Sequence, residues 1–318
     1  MDHILICGLG SIGRRHLSVC LELGVKRIDC YTTGNSTIKD PVNIPGKIYT
    51  DIDFALSQQP TAVIIANPTA LHLDTALNCL KHGCHLLIEK PLSHSQANID
   101  KFRAKVNESG KVVTVGFNLR FHPLLIELKK YIRCKLLGRP RFARYHFGAY
   151  LPDWHPWEDY RNSYVARDDL GGGSLLTHVH EVDMSLSCFG AYSSVNISRS
   201  KISTLDIETD EFSSIIINHK NGVMSSLTLD LGQNFPTRTI DVSFEKGRIQ
   251  IDMIKGNMSI FSNDHSEKTI ILADEYENSF SHTYYLQAKS FFRSISTNSQ
   301  PEVSLKDAIM AQSIISQA

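Results

Sequence analysis

At the start of the chain an apolar run over residues 4–7 enters Gly8-Leu9-Gly10-Ser11-Ile12-Gly13 without a spacer. A strand that turns at once into a glycine-rich helix start is the opening of a dinucleotide fold. The first glycine permits the tight turn, the second lets backbone approach a pyrophosphate, and the third lets helix and strand pack closely. N–H groups of the helix terminus then hold the phosphates, which assigns Gly8, Gly10, Ser11, Ile12 and Gly13 to a cofactor. Alone the motif is weak, because glycine-rich turns often match it. The alternation that follows strengthens it: strands are expected over 27–31, 62–66, 86–88 and 112–115, and helices over 11–23, from 51, over 69–82 and over 95–108. This pattern gives the α/β class, with an N-terminal Rossmann-type doubly wound parallel sheet.

In an open parallel sheet, ligands lie beyond the carboxyl ends of the strands. The strand ending His85-Leu86-Leu87-Ile88-Glu89-Lys90-Pro91 therefore delivers a carboxylate, an amine and a proline to the crevice. Oxidising an alcohol requires a base within hydrogen-bond reach of the hydroxyl, and a desolvated lysine has a lowered pKa suited to that task. Lys90 is the candidate base. Glu89 is placed to orient Lys90 or the nicotinamide amide, and Pro91 to fix a rigid turn, with either peptide isomer open.

The second strand normally ends in an acid that hydrogen-bonds the adenosine ribose. Here Tyr31-Thr32-Thr33-Gly34-Asn35-Ser36 contains none, and Asp29 falls too early. Hydroxyls of Thr32, Thr33 and Ser36, with Arg14 or Arg15 nearby, suit a 2′-phosphate that a carboxylate would repel, which favours NADP over NAD without excluding NAD. The third strand ends in Asn67-Pro68-Thr69, with Thr69 a helix N-cap. Asn67, Pro68 and His72 are candidates for the nicotinamide side.

With 318 residues, 42% hydrophobic and 21% charged, the chain has material for two cores. The first domain is read as 1–120 and a substrate-binding or oligomerisation domain as 121–318, with the C-terminal helix free to pack back on the first. Lys and Arg number 33, as do Asp and Glu, so nucleic acid is not expected as a partner. No apolar run approaches a membrane span, and Met-Asp-His-Ile-Leu enters a strand without a leader; a cytoplasmic protein with no membrane partner is the expectation. The 7 cysteines show no metal spacing and are read as reduced and buried, with no metal site.

After a strand over 139–149 comes a loop dense in Tyr150, Trp154, His155, Trp157, Glu158, Tyr160, Arg161, Tyr164 and Arg167. Aromatic faces stack on sugar rings and arginines fork onto anions, so the loop is read as a substrate lid, with self-packing the competing reading. Arg120, Arg161 and Arg167 are candidate partners of an anionic substrate. Gly171-Gly172-Gly173 releases a helix expected over 174–188, with Leu175, Val179, Val182 and Leu186 as its core stripe. Thr177, His180 and Asp183 follow at i, i+3 and i+6, placing His180 beside the core and Asp183 as an anchor. Strands over 195–200, 211–218, 224–231, 238–244 and 248–253, with a hairpin at Asn221-Gly222, and helices over 281–296 and 304–316 complete the chain.

Four stretches in this order, G-L-G-S-I-G-R-R-H at 8–16, E-K-P at 89–91, G-F-N-L-R-F-H-P at 116–123 and G-G-G-S-L-L-T-H-V-H-E-V-D at 171–183, resemble the Gfo/Idh/MocA oxidoreductases. The resemblance implies a Rossmann domain followed by an α+β domain with a large open, mixed and mainly antiparallel sheet. It also implies dimer or tetramer contacts between copies, NAD or NADP, and a sugar or polyol substrate. It places His180 beside the reacting hydroxyl; Asn118, Trp154 and Thr177 are further substrate candidates. Many relatives carry an Asp three or four positions before that His, where this chain has Thr177 and Leu176; Thr177 cannot be a carboxylate base, and His178 is a weaker substitute. The segment from Tyr150 to Arg161 resembles a subgroup associated with bacterial surface-sugar biosynthesis. A dehydrogenase of a sugar, sugar acid or nucleotide sugar is the leading expectation. The alternatives are a catalytically weak, cofactor-sensing regulator and an imine or enone reductase on the same scaffold.

Overall fold

The computed structural model describes residues 1–34, 43–154, 158–202, 205–272 and 280–318. Asn35, Ser36, His155 and Trp157, named above, lie outside the described residues. In chain order the first part comprises β1 (His3–Cys7), α1 (Ser11–Glu22), β2 (Arg27–Tyr31), β3 (Ile48–Tyr49), α2 (Ile52–Leu56), β4 (Ala62–Ile65), α3 (His72–Lys81), β5 (His85–Ile88), α4 (Ile99–Ser109) and β6 (Val113–Val115). Its six strands pair in parallel in the order β3-β2-β1-β4-β5-β6. β4 is buried throughout, and β1 and β5 are buried apart from His3 and His85, as expected of strands covered by helices on both faces. Close packing explains two of the glycines. A Cβ on Gly8, at φ +104°, would lie 2.5 Å from the Ala66 carbonyl oxygen, and one on Gly13 would lie 1.9 Å from that of Gly8.

Three local expectations need correction. α4 begins at Ile99 rather than 95, because Asn98 takes a left-handed conformation at φ 64° and turns the chain into it. Thr69 does not cap α3: it opens a 3-10 turn over Thr69–Leu71, and neither helix start has a side-chain cap. The short edge strand β3 was not foreseen.

The second part comprises α5 (Pro123–Arg133), β7 (Pro140–Gly148), α6 (Ser174–Thr177), α7 (Val179–Phe189), β8 (Tyr192–Ser200), β9 (Phe212–His219), β10 (Met224–Asp230), β11 (Thr237–Phe244), β12 (Gly247–Asp252), β13 (Asn257–Ser262) and β14 (Glu267–Ile271). Two helices, α8 (Phe280–Thr297) and α9 (Leu305–Ile315), close the chain. The eight strands form one sheet, β14-β13-β12-β11-β7-β10-β9-β8, antiparallel except where β10 meets β7. Alternate residues point to the covered face, as in β11, where Arg238, Ile240, Val242 and Phe244 are buried. The helix expected over 174–188 is two helices, broken at His178.

α8 returns to the first part and lies on α1. Phe291 joins the cluster of Ile4, Ile6, Leu17 and Ile28, and Gln287 donates to the Val115 carbonyl at 3.3 Å. α9, capped by Ser304 and Asp307, packs between α7 and β6. Cys134 is exposed and Cys188 half-buried, against the expectation that all cysteines are buried. Among the described residues, no helix is long and apolar enough to cross a membrane, and no His, Cys, Asp and Glu group could hold a metal.

Candidate active site

The crevice opens beyond β1, β4 and β5. Among the described residues, Gly10 is the N-cap of α1 with no side-chain cap, and a Cβ built on it meets nothing within 4 Å. An uncapped helix start facing open space, with Ser11 and Ile12 in its first turn, fits a dinucleotide pyrophosphate held by backbone N–H groups. Arg14 donates through Nε to the Leu9 carbonyl at 3.0 Å, which keeps its guanidinium at this turn. Beyond β2, Thr32 Oγ1 accepts from the Gly34 N–H at 3.1 Å, and Thr33 follows on an exposed stretch. Asp29 is turned into its own sheet edge, accepting from Arg27, His3 and the Lys47 N–H.

Asn67 donates to Thr75 at 2.9 Å, with Pro68 half-buried beside it. Both ring nitrogens of His72 are taken up by backbone, 2.8 Å from the Pro91 carbonyl and 3.0 Å from that of Asn67. It ties the turns after β4 and β5 together.

Glu89 and Lys90 leave β5 before a cis Lys90–Pro91 bond. Lys90 Nζ donates to the Thr177 carbonyl at 2.7 Å. The helix break makes that acceptor available. In a continuous helix the Glu181 N–H would bond to the Thr177 carbonyl, but here it reaches the His178 carbonyl at 3.2 Å. Burial lowers the Lys90 amine to about 8; Glu89 opposes the shift, Arg238 adds to it, and Glu181 opposes it. Glu89 accepts from His16 Nε2 at 2.8 Å and from the Lys90 N–H at 3.2 Å. Burial pushes its carboxyl up, but these bonds and the His16 and Lys90 charges hold it below the usual range.

Around Lys90 stand His178 and His180, both buried. Among the described residues, His178 Nε2 and His180 Nδ1 have no hydrogen-bond partner. Burial, with the nearby cations Arg238 and Lys90, holds both imidazoles well below 6.5, so both are neutral. His178 packs edge-on against Phe147, ring centres 4.3 Å apart, and 5.3 Å from Trp154. Arg238 lies over Phe147 at 4.1 Å and donates through Nε to Glu181 at 2.8 Å. Thr177 is buried. Tyr164 is 36% exposed as a residue, yet local desolvation of its phenol, with Glu89 adding to the rise, pushes it up to about 12.

The structure thus brings together Lys90, Thr177, His180 and Trp154, but not the other substrate candidates. Arg120 is locked in a buried pair with Asp183. Arg161 and Arg167 are exposed and fork onto Asp159 and Asp169, two residues away in each case. They line a separate surface hollow with Lys201, Asp206 and Glu208. Asn118 donates to Thr283 at 2.6 Å, bracing the start of α8. Sequence reasoning missed three contributors. His16 stands three residues after the third motif glycine, the one available signal for it. Glu181 and Arg238 lie 57 residues apart with no motif to join them.

Two family models match the chain: an oxidoreductase family with an NAD-binding Rossmann fold over residues 3–117, and the Gfo/Idh/MocA C-terminal domain over residues 125–250. Myo-inositol 2-dehydrogenase of Thermotoga maritima is 22% identical over 258 residues, which are 79% of this chain and 74% of that protein. Levoglucosan dehydrogenase in complex with NADH and levoglucosan has a similar structure, with a TM-score of 0.84 and 18% identity over 99% of this chain and 96% of that one. UDP-N-acetylglucosamine 3-dehydrogenase from Acidithiobacillus ferrooxidans gives a TM-score of 0.81 at 16% identity, covering 100% and 96% of the two chains.

Proposed function

The chain belongs to the Gfo/Idh/MocA oxidoreductase family, and on that premise we propose that it is an NAD(P)-dependent dehydrogenase of a secondary alcohol on a sugar, sugar acid or nucleotide sugar. The observation that carries this reading is the Lys90 amine, lowered to about 8 and set beside two neutral, buried imidazoles at the end of β5. A base of that strength takes a proton near neutral pH without being permanently charged. Relatives named for inositol, levoglucosan and UDP-N-acetylglucosamine support the substrate class.

When bound, the nicotinamide supplies the hydride acceptor. Neutral Lys90 Nζ takes the proton of the substrate hydroxyl as the carbinol carbon loses its hydride and the carbonyl forms. His180, held neutral, hydrogen-bonds the same oxygen, and His178 serves a neighbouring hydroxyl. The Thr177 carbonyl aims the amine, so the residue that replaces the family's Asp contributes its backbone. Trp154 and Phe147 offer apolar faces for the ring. The motif glycines and the first turn of α1 hold the pyrophosphate. Thr32, Thr33 and Arg14, with no carboxylate at the end of β2, favour NADP over NAD.

The test is titration of the purified protein with NADPH and NADH, followed by nicotinamide absorbance against panels of sugars, sugar acids and nucleotide sugars. Turnover on one panel, lost in Lys90→Met while dinucleotide affinity persists, is the expected result. Tight dinucleotide binding with no turnover on any panel would favour the sensor.

A further inference from the structure

Among the buried polar groups that touch neither crevice nor solvent, His16 has the most telling position. It is 0% exposed, on the helix whose first turn faces the phosphates, and its Nε2 lies 2.8 Å from Glu89 Oε1. We propose that His16 is a positioning residue for Lys90, acting through Glu89, so that α1 supports both the cofactor turn and the base. This rests on the reading of Lys90 as the proton acceptor.

The physical chain is short. A buried carboxylate is costly unless its oxygens are hydrogen-bonded. The Glu89 carboxylate packs directly on Gly116, where a Cβ would lie 2.7 Å from its Oε2. Its acceptor sites are met by His16 Nε2 and the Lys90 N–H. Glu89 accepts from His16 Nε2, so that ring nitrogen is the one that carries the shared proton. His16 is itself held edge-on by Tyr284, ring centres 5.3 Å apart, and Arg15 lies over the same tyrosine at 5.2 Å. The side chain is therefore set before a ligand arrives.

The ionised Glu89 is the leading charge that keeps the Lys90 amine from falling further. The other titratable and charged groups facing this pair are His72, Tyr164 and Tyr284 around Glu89, and Arg238, Glu181, His178 and His180 around Lys90. Without the His16 N–H, Glu89 protonates more readily in its buried place. A neutral Glu89 no longer stabilises the lysine cation, so the Lys90 midpoint falls.

The experiment follows the 13Cε resonance of Lys90 in full-length, lysine-labelled protein across pH, assigned by its loss in Lys90→Met. His16→Leu is expected to move the midpoint down by about one pH unit, a tenfold change in proton affinity. His16→Gln, whose amide can donate to the same oxygen, is expected to restore most of it. Glu89→Gln, which removes the charge at nearly constant volume, must move the midpoint the same way. Should His16→Leu not fold, His16→Asn, with its shorter reach, takes its place. Circular-dichroism spectra and melting curves of each variant report an intact fold. Midpoints unchanged in folded His16 variants overturn the proposal, as does a shift of equal size in His16→Gln and His16→Leu. The titration needs no substrate, so absence of turnover would reject the dehydrogenase reading and leave this result readable.

Discussion

Arg120 Nε lies 2.9 Å from Asp183 Oδ2 and its Nη2 lies 2.6 Å from Asp183 Oδ1, with both side chains buried. The same guanidinium reaches Asp307 at the start of α9 at 3.3 Å. One arginine thus pins the segment after β6 to α7 and α9. Arg120→Ala leaves the buried Asp183 carboxyl without its partner, and is expected to cost about 3–5 kcal/mol. Thermal or denaturant unfolding checks this. A folded, active Arg120→Ala with only a raised KM for anionic sugars would return the residue to substrate binding.

The pH dependence follows from the Lys90 value of about 8. Below it the amine is protonated and cannot take a proton, so alcohol oxidation rises with pH and levels off above about 8. Carbonyl reduction needs the protonated amine and falls over the same interval. Initial rates in both directions between pH 6 and pH 10, using about one-unit steps, decide the sign.

Two motif glycines are expected to respond in opposite ways. Gly10→Ala places its methyl in open space and leaves stability unchanged, but intrudes where a pyrophosphate would lie, weakening NADH binding by about tenfold or more. Gly13→Ala meets the Gly8 carbonyl and is expected to destabilise the fold by about 1–3 kcal/mol. Melting curves and NADH fluorescence titrations on both variants separate the two effects.

Trp154 stands 5.3 Å from His178 and 6.4 Å from Phe147. If it stacks on a sugar ring, Trp154→Ala raises KM by about tenfold, the worth of about 1–1.5 kcal/mol of aromatic contact, with kcat little changed. A loss confined to kcat would indicate disturbance of His178 instead.

What could be read in advance depended on how local its cause was. β1, β4 and β5 were legible because each is a short apolar run closed off by turn residues, the expected mark of strands covered on both faces. β3 has two residues, one of them exposed, and takes its conformation from its neighbour β2. The interruption at His178 has no Pro or Gly to announce it; it is set where α6 and α7 meet the Lys90 turn. Lys90 and His180 could be singled out because their motifs are contiguous. The partners of the loop arginines lay in plain view: Asp159 and Asp169 sit two residues from Arg161 and Arg167. The partner of Arg120 could not be seen in advance, its carboxylate being 63 residues away.

The return of α8 has a consequence for the chain as a set of parts. The helix fills the groove along α1 with Phe291, Tyr284 and Ala288, so a piece ending at residue 120 would expose a raw seam rather than a finished wall. The nucleotide half is therefore not portable. Exchanging it with that of a relative, to alter cofactor choice, would require residues 280–297 to travel with it, although they are written at the far end of the chain.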